Sequence, residues 1–76
     1  MRIVISRAAT KAMKRLPADL RRRILSAVEA LPAGDVTKLQ GRDGYRLRVG
    51  DWRVLFTMTT EAITVLDIGP RGGVYR

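Results

Sequence analysis

Arginine dominates the chemistry that this chain can offer, and its placement is uneven. Arg46 and Arg48 precede Gly50-Asp51 and Arg53 follows it, in the run Tyr45-Arg46-Leu47-Arg48-Val49-Gly50-Asp51-Trp52-Arg53-Val54. A second group ends the sequence, Ile68-Gly69-Pro70-Arg71-Gly72-Gly73-Val74-Tyr75-Arg76. The guanidinium is a planar fork of donors that matches phosphate oxygens and stays protonated in proteins. These groups can therefore clamp a phosphate and stabilise negative charge on it, but they are poor bases. The glycine spacing near the end matches no nucleotide-binding fingerprint.

Composition bounds what else is possible. The 76 residues carry fifteen Lys+Arg, twelve of them arginine, against seven Asp+Glu, a formal net charge of +8. The pI near 11.4 places the chain among binders of polyanions, nucleic acid or an acidic protein. Histidine and cysteine are both absent. That removes the usual ligands of zinc, copper and iron-sulfur sites, disulfides, cysteine nucleophiles and a Ser-His-Asp triad. We expect no metal and no cofactor. A chain this short hides only roughly 60% of its unfolded surface, so one domain over residues 1–76 with a thin core is expected, without a deep substrate cavity. No apolar run approaches the ~18 residues of a membrane span, and the first residues are too short for a signal peptide's apolar region. The expectation is a soluble cytoplasmic protein.

Hydrophobic periodicity assigns the elements that must position the arginines. Residues 2–6 form a β-branched run that reads as a strand, with Ser6 placed to cap a helix after it. Ala9, Ala12, Met13 and Leu16 share one helical stripe, so residues 7–16 read as a helix stopped by Pro17. A second helix begins near Ala18 and Asp19 and repeats Leu20, Ile24, Ala27/Val28 and Leu31 until Pro32-Ala33-Gly34. Residues 33–44, with Gly34, Asp35, Gly41, Asp43 and Gly44, read as a loop anchored by Leu39. Strands are predicted at 45–49, 52–58 and 62–68. The fold class is α+β: a strand, a helical hairpin, then an antiparallel three-stranded meander packed on the helices.

With Gly50-Asp51 as the whole turn, Val49 faces Trp52, Arg48 faces Arg53, Leu47 faces Val54 and Arg46 faces Leu55. Tyr45, Leu47, Val49, Trp52, Val54, Phe56 and Met58 then point at the helices, and Arg46, Arg48 and Arg53 point away. The aromatic residues of this set read as core. Like charges facing each other across strands are destabilising, so the pattern implies an anion rather than a purely structural surface. For the last strand, a three-residue loop over 59–61 turns Ala62, Thr64, Leu66 and Ile68 inward and Asp67 outward near Arg53. A two-residue loop at Thr60-Glu61 turns Asp67 toward the core, where an unpaired carboxylate is costly. Arg21, Arg22 and Arg23 are the densest charge run and spread around the polar side of the second helix, as contacts for RNA or an acidic partner or as a solvated face.

The combination of Lys38-Leu39-x-Gly41, the segment Tyr45 to Phe56 and the ending Ile68-Gly-Pro-Arg-Gly-Gly-Val-Tyr-Arg76 resembles the RelE/ParE superfamily of bacterial toxins, over essentially the whole chain. The RelE branch of that resemblance implies a toxin of a type II toxin-antitoxin system. Its activity would be that of a ribosome-dependent messenger RNA endoribonuclease, an mRNA interferase, acting beside 16S rRNA and neutralised by a cognate acidic antitoxin. By position it implies Arg48, Arg53, Arg71 and Tyr75 as catalytic residues, and Lys38, Arg46, Arg48, Arg53 and Arg76 as RNA-binding residues. Cleavage by the 2′-hydroxyl needs a base, charge stabilisation at phosphorus and a proton for the leaving oxygen. The arginines supply the second, and Tyr75, whose phenolate cationic neighbours favour, is the best candidate for the first. Pro70 stands where several relatives carry histidine or lysine, and Arg46 and Arg48 where others carry lysine. With those titratable groups missing, positioning of the RNA and electrostatics must carry much of the catalysis. The alternatives are a ParE-like inhibitor of DNA gyrase that acts by binding, and a catalytically degenerate module that only binds its antitoxin.

Overall fold

The computed structural model describes residues 2–70. Its elements are β1 (Arg2–Ile5), α1 (Arg7–Lys14), α2 (Ala18–Glu29), β2 (Asp35–Lys38), β3 (Tyr45–Val49), β4 (Trp52–Met58) and β5 (Ala62–Pro70). The α+β class, the leading strand, the helical hairpin and the antiparallel meander are all present. Arg71, Tyr75 and Arg76 lie outside the described residues.

α1 starts where Ser6 adopts an extended backbone and accepts a hydrogen bond from Ala9 N at 3.1 Å. The same hydroxyl donates to Leu66 O at 2.7 Å, so one side chain both caps the helix and ties it to β5. Ala9, Met13 and Leu16 are buried, which is the stripe the periodicity implies. The exposed carbonyls at the helix end are satisfied from outside it. Arg21 Nε donates to Met13 O at 3.2 Å and its Nη2 to Leu16 O at 2.9 Å. α2 follows directly after Pro17 and buries Ile24 and Val28, with Leu31 just beyond its end.

The five strands form one sheet in the order β1-β5-β4-β3-β2. β1 is parallel to β5, with Arg2 beside Ala62 and Ile5 beside Val65, and every other pair is antiparallel. The helical hairpin is the connection that carries the chain from one sheet edge to the other. The segment read as a loop over 33–44 is corrected here, because its first part is β2, paired to β3 from Asp35 opposite Arg48 to Lys38 opposite Tyr45. Asp-Val-Thr-Lys has one apolar residue and two poor strand formers, so its extended state comes from the open edge of β3 and not from local propensity.

The β3–β4 register is the one implied by a two-residue turn, with Val49 opposite Trp52 and Arg48 opposite Arg53. Among the described residues Gly50 has φ +60° and no non-glycine residue has a positive φ, which suits a turn with glycine at its first central position. The last hairpin differs from expectation. Met58 faces Ile63 and Phe56 faces Val65, so Ile63 and Val65 are buried in place of Ala62, Thr64 and Leu66. A β-bulge then leaves Leu66 unpaired, so that Leu55 faces Asp67 and Val54 faces Ile68. The turn thus follows the two-residue alternative, and the bulge still delivers Asp67 outward and Ile68 inward.

Phe56, Val54 and Ile24 are each 0% exposed and join Leu47, Val65 and Ile63 as the centre of the core. The arginine run on α2 is divided by function: Arg21 caps α1, Arg22 pairs with Asp19 on the exposed surface, and Arg23 lies against the Gly50 turn. Replacing Arg21 with alanine should lower the unfolding free energy by about 1.5–3 kcal/mol, the usual worth of hydrogen bonds from a charged donor. Arg22→Ala should change it by less than about 0.5 kcal/mol, since an exposed ion pair contributes little. Urea denaturation of the two variants beside the parent chain checks the contrast, and equal losses would contradict the capping role.

Candidate nucleic-acid interface

Both helices pack on one face of the sheet, through Leu47, Val49, Val54, Phe56, Ile63, Val65 and Ile68. Alternation sends the intervening residues to the opposite face, where they line up in rows across the strands. One row runs Asp35, Arg48, Arg53, Gly69 and the next runs Thr37, Arg46, Leu55, Asp67. The guanidinium-bearing residues occupy the middle of the sheet, and one carboxylate closes each row at opposite edges. Strand pairing, not a flexible loop, therefore fixes where Arg46, Arg48 and Arg53 stand.

Their surroundings differ. Arg48 is exposed and reaches Gly50 O at 3.5 Å, while Arg46 and Arg53 are half-buried. Arg53 Nε is shut off from solvent. Between Arg46 and Asp67, Leu55 is only 3% exposed although it lies on the face away from the helices, so the strip has an apolar floor at its centre. Cations beside an apolar, partly desolvated surface interact with an incoming anion more strongly than they would on an open, hydrated surface. Asp67 is exposed and accepts from Ile68 N at 2.8 Å; it faces outward as expected, but the bulge sets it opposite Leu55, and Gly69 takes the place opposite Arg53.

Lys38 belongs to a different row. It pairs with Tyr45, whose ring stacks on Phe56 with centroids 5.4 Å apart and planes at 24°. From the end of β2, Lys38 reaches a depression that it shares with Arg46 and Arg42. The structure thus brings Arg46, Arg48 and Arg53 together as expected and sets Lys38 at their flank. The remaining expected site residues, Arg71, Tyr75 and Arg76, fall beyond residue 70. Tyr45 and Trp52 are half-buried against the core and not displayed as stacking platforms. Thr37, Asp35 and Arg42 escape a reading of the sequence because the first two depend on β2; for Arg42, the spacing Lys38-x-x-x-Arg42 inside a glycine-rich loop is the available signal.

Solved structures share this fold over nearly the whole chain. A family model described as the ParE toxin of the type II toxin-antitoxin system parDE matches residues 3–75. The chain belongs to the RelE/ParE toxin superfamily. Among solved structures, this toxin is similar to the archaeal RelE-RelB complex of Pyrococcus horikoshii OT3 at 33% identity and TM-score 0.79, covering 96% of this chain and 97% of that one. It shares its fold with the RelB-RelE complex of Methanococcus jannaschii at 22% identity and TM-score 0.78, covering 95% and 94%. The isolated RelE toxin of E. coli gives 17% identity and TM-score 0.69, covering 97% and 87%. No curated protein matches the chain. Among the described residues of the toxin, no group of three or more carboxylates, histidines or cysteines is placed to hold a metal ion, and no helix is long and apolar enough to cross a membrane.

The facing arginines carry a testable electrostatic consequence. Like charges directly opposite across a strand pair oppose folding, so Arg48→Gln should stabilise the toxin by about 0.2–1 kcal/mol at low ionic strength. The gain should fade toward 1 M salt, where the Debye length falls to about 3 Å. Thermal unfolding of parent and variant across a salt series measures it. A destabilised variant at low salt would show that Arg48 is held by something stronger than its repulsion from Arg53.

Proposed function

We propose that this toxin is a ribosome-dependent endoribonuclease that cuts messenger RNA and so inhibits translation, acting in the cytoplasm as a single domain without metal or cofactor. The observation that carries this reading is the helix-free sheet face on which Arg46, Arg48 and Arg53 are locked side by side by strand register. Arg48 and Arg53 hold the scissile phosphate and stabilise the charge that develops on it, Arg71 adds a further guanidinium, and Tyr75 takes the proton of the attacking 2′-hydroxyl. Lys38, Arg46 and Arg76 bind the RNA on either side. The ribosome supplies the geometry, with the toxin seated against 16S rRNA and the message, because arginine and a phenol alone are weak acid-base catalysts.

The partner that restrains it is a cognate acidic antitoxin. The net charge of +8 and the open cationic strip support this, as do the structurally similar toxins that are bound to RelB. Complementary charge would give fast association and cover the phosphate-binding face.

A second reading has its own support, since the matching family model is that of ParE. In that reading the toxin inhibits DNA gyrase by binding, and the arginine strip is a docking surface. Inducing the chain alone in a bacterial host, mapping messenger RNA 5′ ends and assaying gyrase supercoiling separates the two. Codon-phased cuts on translated messages with unaffected gyrase are the expected result, and Arg53→Ala should reduce cutting by about 10²–10³-fold. Tyr75→Phe should reduce it while antitoxin binding is kept. Inhibited gyrase without new RNA ends would move the protein to the second reading.

A further inference from the structure

The loop of residues 39–44 and the ends of β2 and β3 enclose an open depression of about 380 Å³, lined by Thr37, Lys38, Leu39, Gln40, Arg42 and Arg46. Half of that lining is cationic and none of it is acidic. The wall is held by backbone. Leu39 N donates to Gly44 O at 3.0 Å, and Gly44 turns at φ +121° where a Cβ would stand 3.1 Å from Phe56 O. Neither Lys38 nor Arg42 is held in an ion pair among the described residues, so both heads are available to a ligand. Solvated surface cations usually spread apart, whereas here Arg42 and Arg46 border one concavity with Lys38 at its rim, where Lys38 also borders a neighbouring depression beside Asp43.

We propose that this depression is a second phosphate-binding subsite, which takes the RNA phosphate adjoining the one held at Arg48 and Arg53. The inference rests on the endonuclease reading for its ligand, and it adds Arg42 and Thr37, which that reading does not use. Arg46 is the shared wall between the two subsites. Positions two apart on a strand are separated by about 6–7 Å, which is comparable to the step between successive phosphates along a single strand. The volume lies at the small end of ligand pockets and admits a phosphate together with its ribose. Lys38 and Arg42 neutralise the phosphate, and the Thr37 hydroxyl and Gln40 carboxamide are neutral partners for phosphate oxygens or a 2′-hydroxyl. Bound here, one strand would be gripped at two points, which fixes the direction of the scissile bond over the arginine strip.

The probe is a 5′-phosphorylated single-stranded RNA trinucleotide titrated into the purified toxin, with backbone amide shifts as the readout. Saturable shifts are expected at Thr37, Gln40 and Arg42. Arg42→Ala should weaken binding by about fivefold to tenfold and lower the slope of log K against log salt by about 0.7, the release expected for one phosphate contact on a single strand. Arg15→Ala, an equally exposed cation beyond α1, is the charge control and should weaken it by less than about twofold. Equal effects of the two variants, or saturation of the depression by an acidic peptide but not by the trinucleotide, would overturn the subsite. Affinity for vacant ribosomes tells the sources apart: it is unchanged in Arg42→Ala if the phosphate is the message's and reduced if it is ribosomal. A toxin that binds the trinucleotide through Arg42 yet cuts no message keeps the subsite and loses the endonuclease reading. One that cuts message while Arg42→Ala binds and cuts like the parent loses the subsite alone.

Discussion

Everything on the arginine-bearing face depends on a two-residue turn. Gly50-Asp51 joins β3 to β4 and sets Val49 against Trp52, and that pair dictates the alternation of both strands. Because side chains alternate with a period of two, a slip of one residue would drive Arg46, Arg48 and Arg53 toward the helices and expel Leu47, Val54 and Phe56. Burying unpaired guanidinium groups while exposing the most deeply buried core residues is prohibitive for a domain this small. Glycine is required at the turn by its φ of +60°, and the mobile end of Arg23 lies over it, 3.1 Å from where a Cβ would stand. The hydrophobic core and the cationic strip are therefore two outcomes of one register.

The bulge in β5 does for the last hairpin what the turn does for the central one. Ahead of it, Ile63 and Val65 fill the core; beyond it, Ile68 fills the core and Asp67 faces outward. One unpaired residue, Leu66, lets a strand with an awkward pattern satisfy both demands. The same residue's carbonyl receives the Ser6 hydroxyl, so the site of irregular pairing is also where α1 is fastened to the sheet. Ser6 thus makes two contacts there, its N–H donating to Val65 O and its hydroxyl to Leu66 O, just past the end of the β1 pairing.

A net charge of +8 is easily read as one large binding surface, but the arginines are divided among tasks. Arg21 closes the end of α1, Arg23 covers the central turn, and Arg22 engages a neighbour on its own helix. Arg46, Arg48 and Arg53 form a cationic strip on the helix-free face, with Lys38 and Arg42 at its flank.

The sequence by itself determined the helices, the central hairpin, its register and the facing of its three arginines. Those features are encoded locally, in apolar period, in Ser6 and Pro17, and in a glycine turn whose length leaves one pairing. Only the tertiary structure decided the features that depend on distant partners. β2 exists because β3 offers it an edge, β1 finds its place beside β5 through a parallel pairing some sixty residues away, and the phase of β5 is reset by a bulge that period alone cannot place. Arg21 is a cap because the helical hairpin folds its guanidinium back onto Met13 and Leu16, a contact that no spacing rule along one helix reveals. Arg42 joins Lys38 and Arg46 for the same reason: their convergence is a property of how the loop closes, not of how the residues are spaced in the chain.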